Sequence, residues 1–237
     1  MQPRNPWINL PAKAPYVLPE DEDTIVQFNK KLHADYRIQV NTLPEPYFGY
    51  KDAPVVLLCL NPGFSDEDCE VHATPEFQAL LRNNYLHEPA EYPFYYLNPR
   101  FQNPGRNWWE SKLKQLLKRV PREQLASSLF CIEYFPYHSR KFKRTAFALS
   151  SQKYGFYLAR LAMEKKAVLI LMRSHSLWYQ AVPELKAYPL LFTLNSSQNV
   201  VISPQNCPGF DKVVSAIKHK SDCSRPVSIK SRHERKP

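Results

Sequence analysis

Two polar residues of this 237-residue chain, Asn61 and Glu133, follow apolar runs that are typical of buried strands. Residues 55–60 read Val-Val-Leu-Leu-Cys-Leu and lead into Asn61, and residues 128–132 lead into Glu133. In open α/β sheets, ligands bind outside the carboxyl ends of the strands. An amide offers a hydrogen-bond donor and an acceptor there, and an ionised carboxylate offers acceptors. We therefore interpret Asn61 and Glu133 as candidate ligand-binding residues.

The chain turns sharply after the first of these runs. Six apolar residues without a polar interruption indicate a strand that is buried on both faces, as in the centre of a parallel sheet. Pro62 cannot donate a ladder hydrogen bond, and Gly63 permits a turn that a side chain would block. Ser65 and Asp66 follow as candidates for the N-cap of a helix. Asn61 is thus predicted to lie on a tight loop at the carboxyl end of a central strand.

A strand that ends in Asn61-Pro62-Gly63 resembles the first motif of the uracil-DNA glycosylase superfamily, in particular its mismatch-specific and single-strand-selective branches. The resemblance implies that Asn61 orients a water molecule towards C1′ of a flipped nucleotide. It also implies that Glu133 holds the base-reading position, where single-strand-selective members have an asparagine. Pro136 stands at the matching offset. The resemblance covers roughly residues 51–218 and is carried by the order of the motifs.

The last motif departs from the family pattern. The family has a His-Pro-Ser or Met-Pro-Ser loop after the fourth strand, and this chain has Ser203-Pro204-Gln205-Asn206. The histidine that stabilises the departing base in many members is therefore absent. His138 and His175 each follow a predicted strand, and they are the candidates to replace it.

The other candidate residues fall into two groups by their expected contact with DNA. Aromatic and imidazole rings stack on or contact a flipped base, and cations and loop polar groups bind phosphates. The predicted base contacts are Glu133, Phe64, Tyr95, Tyr96 and His138, and the predicted backbone contacts are Gly63, Arg140, Lys141, Lys143, Arg144, Ser203, Gln205 and Asn206.

Glu133 suggests the substrate. An ionised carboxylate offers only acceptors, which suits the exocyclic amine of cytosine, whereas it would repel a uracil carbonyl unless burial kept it protonated. Removal of plain cytosine would destroy the host genome. The sequence therefore predicts a monofunctional glycosylase that removes a modified cytosine, in defence against phage with modified DNA, with the pocket for the extra group in the aromatic loop 84–106.

Alternative interpretations remain open. The chain is otherwise a uracil or mismatch repair glycosylase, a non-catalytic DNA- or RNA-binding protein on the same fold, or a different α/β enzyme that binds a nucleotide. In structural terms, Asn61 is also a common turn residue, and Glu133 suits a salt bridge at a strand end.

Charge and cysteine usage bound the class of protein. Thirty-two Lys and Arg residues against 22 Asp and Glu give a net charge of +10, which favours an anionic partner, here DNA. The five cysteines form no Cys-x-x-Cys pair, so we expect reduced thiols, no metal or iron–sulfur cluster and no other cofactor. No apolar run is long enough to span a bilayer. The expectation is a cytoplasmic monomer that has no membrane segment.

The order of apolar runs predicts an α/β fold, three-layer α/β/α, with a four-stranded, mainly parallel central sheet. The resemblance implies that this sheet is like that of uracil-DNA glycosylases. We expect an extended N-terminal arm at 1–23, one domain at 24–218 and a basic, disordered tail at 219–237. The predicted strands are 55–60, 128–132, 167–172 and 199–202, and the predicted helices are 24–36, 66–83, 107–120, 150–166 and 210–218.

Overall fold

The described part of the chain forms an α/β fold around one mixed sheet of five strands. The structure is a computed structural model that describes residues 3–223, with side chains described through residue 219. The strands are β1 (Tyr47–Gly49), β2 (Val55–Cys59), β3 (Leu129–Glu133), β4 (Val168–Leu171) and β5 (Leu191–Thr193). The helices are α1 (Pro19–Lys30), α2 (Asp66–Ala73), α3 (Pro75–Tyr85), α4 (Pro104–Leu117), α5 (Arg122–Ser128), α6 (Gln152–Glu164), α7 (His175–Ala181) and α8 (Phe210–Cys223).

Strand β2 lies at the centre of the sheet, whose order is β1-β3-β2-β4-β5. β1 runs antiparallel to β3, and all other neighbours are parallel. All five residues of β2 are buried, as its uninterrupted apolar run predicts. After β2 the chain adds β3 on one side and then β4 on the other, so the strand order reverses beside β2. In sheets of this type, that reversal opens a crevice at the carboxyl ends of the strands.

Helices cover both faces of the sheet. Tyr47 and Phe48 are consecutive in β1, so their side chains point to opposite faces. The Tyr47 ring packs against Tyr154 of α6, and the Phe48 ring packs against Trp109 of α4. The arrangement is consistent with the predicted three-layer α/β/α architecture, in which a large apolar core fills both interfaces.

The prediction of four strands is wrong for the described chain, which has five, and the predicted fourth strand is misplaced. Residues 199–202 form no ladder; Ile202 is buried, but its backbone nitrogen donates to the carbonyl of Lys112 in α4, 2.9 Å away. The strand that pairs with β4 at this edge of the sheet is β5. Its three residues are only half-buried, and the strand is too short to give the long apolar run that marks a central strand. β1 was missed because it is only three residues long.

Three helix starts differ from prediction, and each observed helix has a proline in its first turn. α1 begins at Pro19 rather than Thr24, α4 begins at Pro104 with Asn103 as its N-cap, and the predicted helix 66–83 is divided before Pro75. Proline has no amide hydrogen and a fixed φ, which suit the first helical position and terminate a preceding helix.

The predicted arm packs against the domain. Trp7 and Leu10 are buried, and the last residues of the predicted arm belong to α1. At the other end, α8 continues beyond residue 218 to Cys223. The rest of the predicted tail lies outside the described residues. Within residues 3–223, no helix is both long enough and apolar enough to cross a membrane.

Candidate functional site

A cavity of about 390 Å³ opens at the carboxyl ends of the central strands. Its wall is made by the loops that follow β2, β3 and β4, together with the start of α4 and the segment before β1. Seven of the predicted site residues line it, namely Asn61, Gly63, Phe64, Tyr96, Glu133, His138 and Arg140. The parallel pairing of β2 with β3 explains why two distant motifs meet here: Cys59 and Glu133 are partners in the sheet register.

Asn61 is held by its amide nitrogen. Nδ2 donates to the carbonyl oxygen of Pro62 at 2.9 Å and to the hydroxyl oxygen of Ser139 at 3.1 Å. Among the described residues, both hydrogen bonds of this amide use Nδ2, which leaves Oδ1 as the acceptor end. Ser139 comes from the loop after β3, and it was not predicted. A polar residue beside a candidate histidine was the only signal for it in the sequence.

Glu133 is buried and carries an unsatisfied oxygen. Burial raises the pKa of this carboxyl to about 8, and the nearby charge of Glu45 contributes in the same direction. The Cys131 thiol lies 3.7 Å from Oε1, while Oε2 has no hydrogen-bond partner among the described residues. A pKa of about 8 favours the protonated form at pH 7, in which a carboxyl has one donor and one acceptor. The alternative interpretation of Glu133, as a salt-bridged residue at a strand end, is not supported, because Glu133 forms no salt bridge within residues 3–223.

Glu45 is a second buried acid in the cavity wall, and it was not predicted. The hydroxyls of Tyr95 and Tyr96 donate to its Oε1 at 2.6 and 2.7 Å. Burial raises the pKa of Glu45. The sequence signal was weak, since Glu45 is one acid between two prolines in a segment interpreted as a connection.

The two predicted tyrosines lie in different places. Tyr96 contributes to the cavity wall, but Tyr95 lies behind it and packs against Phe48 and Phe77. Gly105 touches the Tyr96 ring so closely that a Cβ atom there would lie 2.3 Å from it. The aromatic loop is thus a packed part of the core around Glu45, with one ring exposed to the cavity.

The two candidate histidines are also separated. His138 is buried in the wall, and its Nδ1 lies 2.6 Å from the carbonyl oxygen of Gly63. His175 begins α7 and does not line the cavity. Of the two, only His138 is positioned to contact a ligand held there.

Aromatic and cationic groups form the rim. Arg140 lies over the Phe64 ring, 5.4 Å from its centroid, and pairs with Asp66. Trp108 is 37% exposed and lines the cavity at the start of α4, beside the buried Trp109. Trp108 was not predicted, because the sequence does not show which of two adjacent tryptophans is exposed and which is buried.

The other three predicted cations lie outside the cavity. Lys141 pairs with Asp35 at 2.8 Å, and Lys143 lies 5.9 Å from the centroid of the Tyr36 ring. Arg144 is exposed further along the same loop. These three side chains extend the basic surface away from Arg140.

The loop that contains Ser203, Gln205 and Asn206 does not line the cavity. The Asn206 side chain ties the loop to itself, because its Oδ1 accepts from the Ser196 backbone and its Nδ2 donates to the Val201 carbonyl. The predicted motif therefore falls beside the site rather than in it, since the strand that should have delivered it is not formed.

The arrangement brings together a fixed amide, two buried carboxyls of raised pKa, an imidazole and an aromatic rim. Such a set can orient water, donate a proton and bind a planar polar ring. Comparisons of this chain with protein-family models, with curated proteins and with solved structures found no match.

Proposed function

We propose that this chain is a monofunctional DNA glycosylase that hydrolyses the N-glycosidic bond of a flipped base, with a C5-modified cytosine as the preferred substrate. The observation that carries the proposal is that Glu133 ends β3, that Asn61 follows the adjacent parallel strand β2, and that both line one cavity. The cavity volume of about 390 Å³ lies within the range of about 300–1,000 Å³ that is usual for small ligands.

Asn61 would position the attacking water. Its Nδ2 is occupied by Pro62 and Ser139, so Oδ1 is oriented to accept a hydrogen bond from water. An amide does not take up a proton readily, which makes Asn61 an orienting group rather than a general base. The reaction would therefore depend on assistance to the departing base.

Glu133 would recognise the base and assist its departure. A neutral carboxyl accepts from the N4 amine of cytosine and donates to N3, which is a two-bond match. A pKa of about 8 also suits a general acid at neutral pH, so the same proton can neutralise the departing base. Glu133 would thus perform the role that the motif histidine has in many uracil-DNA glycosylases, and the attacking water would lose its proton to solvent.

Uracil is the second candidate base, and the raised pKa of Glu133 favours it. A protonated carboxyl can donate to O4 of uracil and accept from its N3–H, so it does not repel this base. Discrimination between the two bases would then depend on the space around C5, at the wall that carries Tyr96 and Trp108.

Base release can be measured directly. Single- and double-stranded DNA that carries cytosine, uracil or a series of C5-modified cytosines is incubated with the protein, and free base is detected by mass spectrometry. We expect release of a modified cytosine, loss of this release in Asn61→Ala, and full activity in Asn83→Ala, an exposed asparagine of α3 that does not line the cavity. Release of uracil alone would select the second candidate. Tight DNA binding without release of any base would instead support the non-catalytic alternative.

A further inference from the structure

Three side chains of metal-binding type converge beside the cavity, and two of them, Glu45 and His138, line it. Glu45, His72 and His138 each place one oxygen or nitrogen within 4.8 Å of the others, and all three are buried. They come from the segment before β1, from α2 and from the loop after β3. Because these residues are far apart in the sequence, their meeting is a property of the fold alone.

The orientation of His138 suits a ligand. A hydrogen bond from Nδ1 to the Gly63 carbonyl at 2.6 Å places the proton of a neutral ring on that nitrogen. Nε2 then carries a lone pair, and it faces Oε2 of Glu45 at 3.8 Å. In many metal sites, one imidazole nitrogen of a histidine ligand donates to a backbone carbonyl while the other nitrogen binds the metal.

His72 adds a second imidazole without competing contacts. Its Nδ1 is buried and has no hydrogen-bond partner within residues 3–223. The ring is held edge-on by Phe77, with centroids 4.9 Å apart, and it meets the His138 ring at 4.9 Å. A nitrogen of this buried ring can therefore serve as a ligand atom.

Glu45 is also oriented by neighbours. The two tyrosine hydroxyls on Oε1 fix the carboxylate plane, and Asp68 adds a second acid nearby. A cation between the Glu45 carboxylate and the imidazole lone pairs would compensate for the burial of the carboxylate, because the low dielectric strengthens every such interaction.

We propose that Glu45, His72 and His138 bind one divalent transition-metal ion of the zinc type, with its remaining coordination position towards the cavity. Two imidazoles and one carboxylate are an established ligand set for zinc with one open position. Zinc–ligand bonds of about 2.0–2.2 Å in a tetrahedron separate ligand atoms by about 3.3 Å. The Glu45–His138 edge must therefore shorten by about 0.5 Å when the ion binds.

A second buried cluster provides a control. Cys59, Cys131 and Glu133 also converge, but burial raises the pKa of the Cys131 thiol and keeps it protonated, whereas metal binding requires the thiolate. The proposal does not rest on glycosylase activity, because it concerns metal content and not base release.

Metal binding is tested on the full chain. The protein is stripped with a chelator, dialysed and titrated with Co²⁺ and Zn²⁺, and the readouts are bound metal per chain and the visible absorption of tetrahedral cobalt. We expect one ion per chain. Loss of a residue that hydrogen-bonds to a metal ligand weakens metal binding by about 10–100-fold. Loss of a ligand itself should have a larger effect, so His72→Ala and His138→Ala should each weaken metal binding by more than about 100-fold. His175→Ala and Cys131→Ala should bind as the wild type does.

Thermal unfolding of the wild-type protein gives a measurement that does not depend on how the variants fold. Added Zn²⁺ should raise Tm in proportion to the logarithm of its concentration above Kd, and the chelator should reverse the rise. The proposal is overturned if the wild type binds no stoichiometric metal, or if His72→Ala and His138→Ala both keep wild-type affinity. Loss of binding in Cys131→Ala alone would assign the ion to the thiol cluster and would also overturn it.

Discussion

Nδ2 of Asn61 donates a hydrogen bond to Oγ of Ser139 over 3.1 Å, and this contact joins the loop after β2 to the loop after β3. Only the parallel pairing of the two strands brings these residues together. The contact makes the orientation of one side chain dependent on the other. Ser139 is therefore expected to act as a positioning residue for Asn61.

Asn61→Ala should abolish base excision while DNA affinity stays within a few-fold of the wild type, because the residue orients water and makes few ground-state contacts. Ser139→Ala should lower kcat with little change in KM, by about 5-fold for one lost hydrogen bond of about 1 kcal/mol. Single-turnover base release and DNA-binding titrations measure the two effects. Full excision by Asn61→Ala would show that the catalytic assignment is incorrect.

Glu133 should make the folded state less stable as the pH rises. The carboxyl has an unfolded-state pKa near 4.5 and a folded-state pKa of about 8. Between these values the folded chain keeps a proton that the unfolded chain has released, so stability is lost as pH rises through this window. Glu133→Gln removes the effect, and its stability relative to the wild type should grow by a few kcal/mol, in order of magnitude, between pH 4.5 and 8.

Urea unfolding across this pH range measures the difference between wild type and Glu133→Gln. Glu76→Gln is the matched control, since it replaces an exposed glutamate of α3. A constant difference between wild type and Glu133→Gln at all pH values would contradict the prediction, because it would mean that the carboxyl does not keep its proton in the folded state.

Trp108 should stack on nucleic acid at the rim of the cavity. Its ring is 37% exposed, and base–aromatic stacking contributes about 1–3 kcal/mol per base. Trp108→Ala should therefore weaken binding to single-stranded DNA by about this amount. Tyr50→Ala, at an exposed tyrosine outside the cavity wall, should leave the affinity nearly unchanged. Equal effects of the two substitutions would remove Trp108 from the DNA-binding face.

Replacement of Arg140, Lys141, Lys143 and Arg144 by alanine should weaken binding to all DNA sequences alike. Each lost phosphate contact reduces the slope of log affinity against log salt by about one. Arg140 should contribute more to DNA affinity than any other residue of the four, because it is the one that lines the cavity. Salt titrations of the single and combined variants measure these slopes, and Lys165→Ala, at the pair with Asp52 before β2, is the control. An unchanged slope in the combined variant would place the DNA-binding face elsewhere.

The sequence by itself was sufficient to predict the central strands and the place of Asn61. A long apolar run that ends in Asn61-Pro62-Gly63 is a local pattern, and the buried strand with its sharp end follows from local rules. The runs before Glu133 and Arg173 predicted β3 and β4 for the same reason. The edge strands β1 and β5 were not predicted correctly, because three-residue strands on the border of a sheet need no comparable run.

Only the tertiary structure decided which groups share the cavity and in what chemical state. Glu45, Ser139 and His72 are unremarkable in sequence, and they gain their roles from partners that lie far away along the chain. The sequence likewise left the protonation state of Glu133 open, between an ionised acid that offers only acceptors and a carboxyl that burial keeps protonated. Burial between strands and helices withholds water from this carboxyl and keeps its proton in place, because a charge without solvent or a partner is unfavourable in the interior of a protein.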